Sequence, residues 1–90
     1  MEQIKLKLYI TDHNKRSVAA IVNLTRLIEG QLVGRYDLEI IDVLKDGERA
    51  QKDKILATPT LVCHLPNTLT KIIGDLSETE KIMTVLEFNN

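Results

Sequence analysis

Residues 4–10 read Ile-Lys-Leu-Lys-Leu-Tyr-Ile, with a large aliphatic side chain at every second position. A repeat of two is the pitch of a β-strand. It places Ile4, Leu6, Leu8 and Ile10 on one buried face and Lys5, Lys7 and Tyr9 on a polar one. From Val18 the pitch changes. Val18, Ile21, Val22, Leu24, Leu27, Ile28 and Leu32 recur in steps that suit a broad amphipathic helix. Asn14 or Ser17 can cap its start by accepting an orphan N–H, and Gly30 and Gly34 bracket its end. Residues 36–44 (YDLEIIDVL) then resume strand character. The near-continuous run Ile40, Ile41, Val43, Leu44 predicts burial on both faces, as in a central parallel strand. Strand, helix and strand within the first half of a 90-residue chain make a βαβ unit, with a right-handed crossover as the default.

The second half supplies the complement. Asp46-Gly47 turns the chain, and residues 48–56 (ERAQKDKIL) are good helix formers. Residues 60–65 and 69–76 are rich in Thr, Val, Ile and Leu, and Pro66-Asn67-Thr68 between them predicts an antiparallel hairpin. Ser77-Glu78-Thr79-Glu80 has the spacing of a capping box before the apolar positions Ile82, Met83, Val85 and Leu86. The summed order, βαβαββα, is that of an α/β thioredoxin-like layout, expected as a single domain over residues 1–90. In that layout the proline before the third strand, here Pro59 in Thr58-Pro59-Thr60, is expected in the cis form. Redox chemistry on such a frame needs a low-pKa thiolate just after the first strand. Residues 11–16 (TDHNKR) hold no sulfur, so the frame is expected to bind partners.

Composition narrows the function classes. Twelve Lys and Arg against thirteen Asp and Glu leave a charge of −1. A balanced charge argues against a phosphate-neutralising nucleic-acid surface, and aromatic residues are too few for a base-stacking platform. One cysteine forbids an internal disulfide framework and fits a reducing compartment. Apolar runs fall well short of the roughly 20 residues that cross a bilayer. The start MEQIKLKLYI interleaves lysines with apolar residues and lacks a secretory core. These features predict a cytoplasmic protein without a membrane segment.

Candidate reactive groups read better as structure than as chemistry. Cys63 sits in a strand, where an unpaired cysteine packs as a small hydrophobe; a Cys63-dependent redox protein remains the alternative from a different class. His64 beside it points to the opposite face, and no further ligand cluster accompanies it, so no metal or other cofactor is expected. His13 reads as a solvated turn residue. Asp42 and Asp75 could pair as acid and base, but a strand position and a turn after Gly74 favour structural hydrogen bonds. The run Glu48, Arg49, Lys52, Asp53, Lys54 reads by composition as a solvated helix face. No phosphate loop or Ser/His/Asp set is present, and no enzymatic activity is expected.

Several collinear motifs carry a resemblance: K-L-Y-I at 7–10, N-L at 23–24, G-x-Y-x-L at 34–38, I-D-V-L-K at 41–45, D-K-I-L-A-T-P-T-L at 53–61, L-P at 65–66 and I-I-G-D-L-S at 72–77. Together they resemble the KaiB family of bacterial circadian-clock proteins. The resemblance implies a non-catalytic regulator that docks on the N-terminal ATPase lobe of a KaiC-type ring protein and modulates its phosphorylation cycle. Clock members also capture KaiA and displace a thioredoxin-like sensor kinase. Family members are metamorphic: a ground-state fold, βαββααβ, pairs into dimers and tetramers, and a thioredoxin-like monomer binds KaiC. For this chain the resemblance places partner binding at Glu48, Arg49, Gln51, Lys52, Asp53, Lys54 and Ala57. It gives structural roles to Pro59, Gly74, Asp75 and Ser77.

Departures from the family pattern sharpen these expectations. Residues 67–71 (NTLTK) replace a proline-rich, doubly basic stretch. Cys63 stands where a basic residue is common, and Glu39 reverses the charge of a lysine linked to KaiA capture. KaiA capture is therefore doubtful here, and stress adaptation or sensor-kinase signalling stays open beside a clock role. The β-branched content of 60–74 favours the thioredoxin-like form, mainly as a monomer.

Overall fold

In a computed structural model, residues 4–12, 14–30, 36–65 and 68–88 are described. The elements follow the order β1 (Ile4–Ile10), α1 (Lys15–Gly30), β2 (Tyr36–Asp42), α2 (Gly47–Lys52), β3 (Thr60–His64), β4 (Leu69–Ile73) and α3 (Thr79–Phe88). One four-stranded sheet has the strand order β2-β1-β3-β4. β1 runs parallel to β2, and the pairs β1–β3 and β3–β4 are antiparallel. The βαβ half and the ββα half thus join through β1 and β3, the thioredoxin-like arrangement. The peptide bond between Thr58 and Pro59 is cis.

Alternation along each strand divides the side chains between two layers. Leu6, Leu8, Ile10, Leu61 and Cys63 pack with Ala20, Leu24 and Leu27 of α1 and Ile82 and Leu86 of α3. On the opposite face Tyr9, Ile41 and Val62 pack with Ala50 of α2, and Val43 and Ile55 close the margins. β1 is therefore buried on both sides. Its second face, read from sequence as merely polar, holds a fully buried Tyr9 because α2 folds over it.

β2 reverses its expected place. It is an edge strand, not a central one, and Ile40 is 44% exposed while Ile41 is buried under α2. Of its apolar run only Ile41 and Val43 join the core, both in the cluster with Ala50 of α2, and Leu44 is 70% exposed, so the expected burial on both faces does not occur. The strand also stops early. Asp42 Oδ1 accepts the amide of Leu44 at 2.9 Å, and the amides of Lys45 and Asp46 both donate to the Asp42 carbonyl. An Asx-type turn of this kind competes with the ladder.

At the start of α1 the Asn14 side chain accepts the Ser17 amide at 2.8 Å, an N-cap. The start of α3 differs from the expected capping box. The Ser77 amide donates to Asp75 Oδ1 at 3.1 Å, and the helix begins at Thr79, so the Asp75 turn shapes the entry. Gly74 has φ +126°, a conformation that side chains strain to adopt, and its amide donates to the Pro59 carbonyl at 3.0 Å. His13, Gly34, Pro66 and Asn67 lie outside the described residues. Among the described residues no helix is long and apolar enough to cross a membrane.

Candidate protein-docking site

α2 is shorter than the sequence predicts, and its end explains why. The Lys54 amide donates to the Gln51 carbonyl at 3.0 Å, and the Ile55 amide to the Ala50 carbonyl at 2.9 Å. Lys54 takes φ +56° between them. This is a Schellman stop, in which the last carbonyls are satisfied by a left-handed residue. The usual apolar contact accompanies it, since Ile55 packs in the same cluster as Ala50. At the other end Asp46 accepts the Arg49 amide at 3.4 Å.

The underside of α2 is tied to the sheet by polar groups. The Tyr9 hydroxyl donates to Asp53 Oδ2, and Lys7 Nζ lies 3.4 Å from the same oxygen. Arg49 grips Glu39 of β2 through two nitrogens, at 2.6 and 2.8 Å. Two parallel N–H···O bonds of this kind fix geometry as well as charge. Lys5 approaches Glu39 at 3.9 Å.

Titration follows from this geometry. Burial pushes the Tyr9 phenol up, and the neighbouring Asp53 carboxylate pushes it further. Burial opposes ionisation of Asp53, but the Tyr9 hydroxyl and the Lys7 ammonium outweigh it and hold the carboxyl below its usual range. Glu39 falls to about 2 through its hydrogen bonds with Arg49. Burial, then Lys7, lowers His64, whose Nε2 is enclosed without a hydrogen-bond partner.

The seven residues expected to bind a partner divide into two groups. Arg49 and Asp53 are half-buried and turn toward the sheet, where they position the helix. Glu48, Gln51, Lys52, Lys54 and Ala57 are exposed. Pro59, Gly74, Asp75 and Ser77 gather elsewhere, where the start of β3 meets the end of β4. There the Asn23 amide group donates to the Asp75 carbonyl oxygen at 2.9 Å, and hydrogen bonds from Ser77 hold the Asp75 carboxyl low.

Sequence reasoning missed Tyr9 as the keystone of the α2 underside. Its trace was a phenol on a face otherwise carrying lysines, opposite the conspicuous I-D-V run. Cys63 is completely enclosed, and burial pushes its thiol up to about 12. A thiol held protonated at neutral pH is a poor nucleophile, which removes the support for redox use of Cys63. Among the described residues no group of three His, Cys, Asp or Glu is placed to hold a metal.

A model of the KaiB domain matches residues 7–88. The chain belongs to the KaiB family. It is 47% identical over 87 residues to circadian clock protein KaiB3 of a Synechocystis species, an alignment covering 97% of this chain and 85% of the relative. It is 48% identical over 82 residues to the circadian clock oscillator protein KaiB of a Cyanothece species, covering 91% and 78%. These names support a clock-regulator role, and KaiB proteins are regulators rather than catalysts. Among solved structures, the N-terminal domain of SasA from Synechococcus elongatus superposes with a TM-score of 0.76 at 18% identity, over 96% of this chain and 85% of that one. Mitochondrial thioredoxin 3 of Saccharomyces cerevisiae gives 0.75 at 22% identity, over 93% and 79%. At such identities the likeness establishes the thioredoxin-like fold of this KaiB chain and nothing about its chemistry.

Proposed function

We propose that this KaiB protein is a cytoplasmic, non-catalytic regulator that docks on the N-terminal ATPase lobe of a KaiC-type ring protein. In this reading it modulates the ring's phosphorylation cycle, acting as a single thioredoxin-like domain over residues 1–90. The observation that carries the reading is the split within α2. Arg49 and Asp53 hold the helix to the sheet, so Glu48, Gln51, Lys52 and Lys54 are presented on a fixed frame. Mixed charges on such a surface set orientation and association rate. Capture of KaiA on β2 is left out of the reading, because Glu39 already pairs with Arg49.

The ground-state arrangement βαββααβ, with its dimers and tetramers, belongs to the same reading as a second, non-docking state. Backbone chemical shifts of the free chain test that part: residues 60–64 and 69–73 are expected as strands in the dominant species. Docking is tested by titrating the purified chain with the full-length KaiC-type ATPase of the same organism. The Lys52→Glu, Lys54→Glu double variant is expected to bind about 10-fold or more weakly. A wild-type chain that does not bind the ring rejects the proposal.

A further inference from the structure

Leu56 is 96% exposed, and the described chain offers no other large apolar side chain so open to solvent. Lone exposed leucines need no explanation; this one has unusual surroundings. The backbone on either side of it is pinned. Before it, the Ile55 amide is bonded to Ala50, Ile55 packs in the α2 core, and Lys71 Nζ donates to the Lys54 carbonyl at 3.2 Å. After it, Thr60 Oγ1 donates to the Ala57 carbonyl at 2.6 Å, the Thr58 and Thr11 hydroxyls are bonded to each other, and Pro59 is fully buried. The protein thus holds an apolar side chain outward on a rigid loop.

A second exposed apolar group is linked to this loop through Thr60. Ile73, 66% exposed, pairs with Thr60 across the β3–β4 ladder, and it is Thr60 that bonds the Ala57 carbonyl. Lys54 and Lys71 meet on the N-terminal side of Leu56, and both are exposed, as is Lys52 at the end of α2. Asp53 is engaged by Tyr9 and Lys7, and Asp75 by Ser77. The patch is therefore apolar at its centre and cationic at its rim.

We infer that Leu56, supported by Ile73, is the apolar anchor of the docking surface and inserts into an apolar socket rimmed by carboxylates on the partner protein. The inference rests on the proposed docking to a KaiC-type ring and adds residues outside the α2 set. Pre-organisation is the physical advantage. A loop backbone already held in its bound course loses little conformational freedom on association, leaving only the leucine's own rotamers to be fixed, and a central apolar anchor controls residence time while the surrounding charges control encounter.

The test is binding of the full-length KaiC-type ATPase by wild type, Leu56→Ser, Ile73→Thr and, on the far side of the sheet, Val22→Ser, with circular dichroism confirming each fold. Leu56→Ser is expected to weaken binding about 30-fold, chiefly through faster dissociation, and Ile73→Thr by less. Val22→Ser is expected to match wild type, and the salt dependence of Leu56→Ser is expected to be unchanged. Wild-type binding that survives Leu56→Ser undiminished overturns the anchor and leaves the docking proposal standing. Absence of wild-type binding overturns both. Sedimentation showing a dimer that Leu56→Ser dissolves would assign the patch to self-association, and Leu56-dependent binding to phosphatidylserine vesicles would assign it to a membrane; either overturns the inference.

Discussion

The two faces of the sheet are built on different principles. The face under α1 and α3 is closed by aliphatic side chains: Leu6, Leu8, Leu24, Leu61 and Leu86 are fully enclosed. The face under α2 is closed only in part, by Tyr9, Ile41, Ala50 and Val62, and is stitched together by Asp53, Lys7, Arg49 and Glu39. Apolar burial is non-directional and supplies stability. Charge-assisted hydrogen bonds are directional, and their net contribution is small beside the geometry they impose. The first face keeps the chain folded, and the second holds a short helix in register for a partner.

Breaking the first face should have the largest effect on folding. Leu24→Ala is expected to lower unfolding stability by about 3 kcal/mol in urea titrations, a large part of the roughly 5–15 kcal/mol available to a domain of this size. Partner affinity measured well below the melting temperature should change little.

Tyr9→Phe attacks the second face. It removes the hydroxyl that Asp53 accepts and should cost about 1–2 kcal/mol, with a measurable loss of partner binding because the end of α2 is no longer held. A variant that loses stability but keeps full affinity would show that the stitching serves folding alone.

Lys54→Gly separates the two roles most directly. Glycine suits the left-handed position that Lys54 occupies, so stability should rise by about 0.5–1 kcal/mol. Binding should nonetheless fall, because an exposed cation of the docking surface is lost. Opposite signs in one variant, read by urea titration and by titration with the ring protein, would establish the division of labour.

The smallest effect at neutral pH is expected from Glu39→Gln, whose pair is partly exposed and screened by salt. Acid reveals it. Glu39 is depressed in the fold, from 4.5 to about 2, so its contribution is complete above the unfolded value and is lost as pH falls from about 4.5 toward 2. Asp53 is depressed too and acts with the same sign. Wild type should therefore lose stability across that window, and Glu39→Gln should lose less; parallel curves for the two would show that the pair is not coupled to folding.

How far the sequence could be read follows from the range of the interactions involved. β1 matched its expected limits, Ile4 to Ile10, because strict alternation next to a polar break is a local signal. The length of α2 was not legible. Asp53, Lys54 and Ile55 are compatible with a helix by propensity, but Ile55 is drawn into the cluster around Tyr9 and Val62, and the chain turns at Lys54 to deliver it. The edge position of β2 was equally hidden, since an apolar run does not say which of its members pack: Ile41 and Val43 meet the α2 cluster, whereas Ile40 and Leu44 are exposed. Within the candidate site the charged run at 48–54 was visible, whereas the inward turn of Arg49 and Asp53 was not.

What the amino-acid order settled alone is periodicity, element order and family: alternation and helical stripes are written within a few residues, and the D-K-I-L-A-T-P-T-L and I-I-G-D-L-S blocks are contiguous. Tertiary structure alone decided which charges are spent on the protein itself and which face solvent. Asp53 meets Tyr9 across 44 positions and Arg49 meets Glu39 across 10. Such pairs exist only after the sheet has brought β1, β2 and α2 together, because a charge has no preferred partner until packing supplies one.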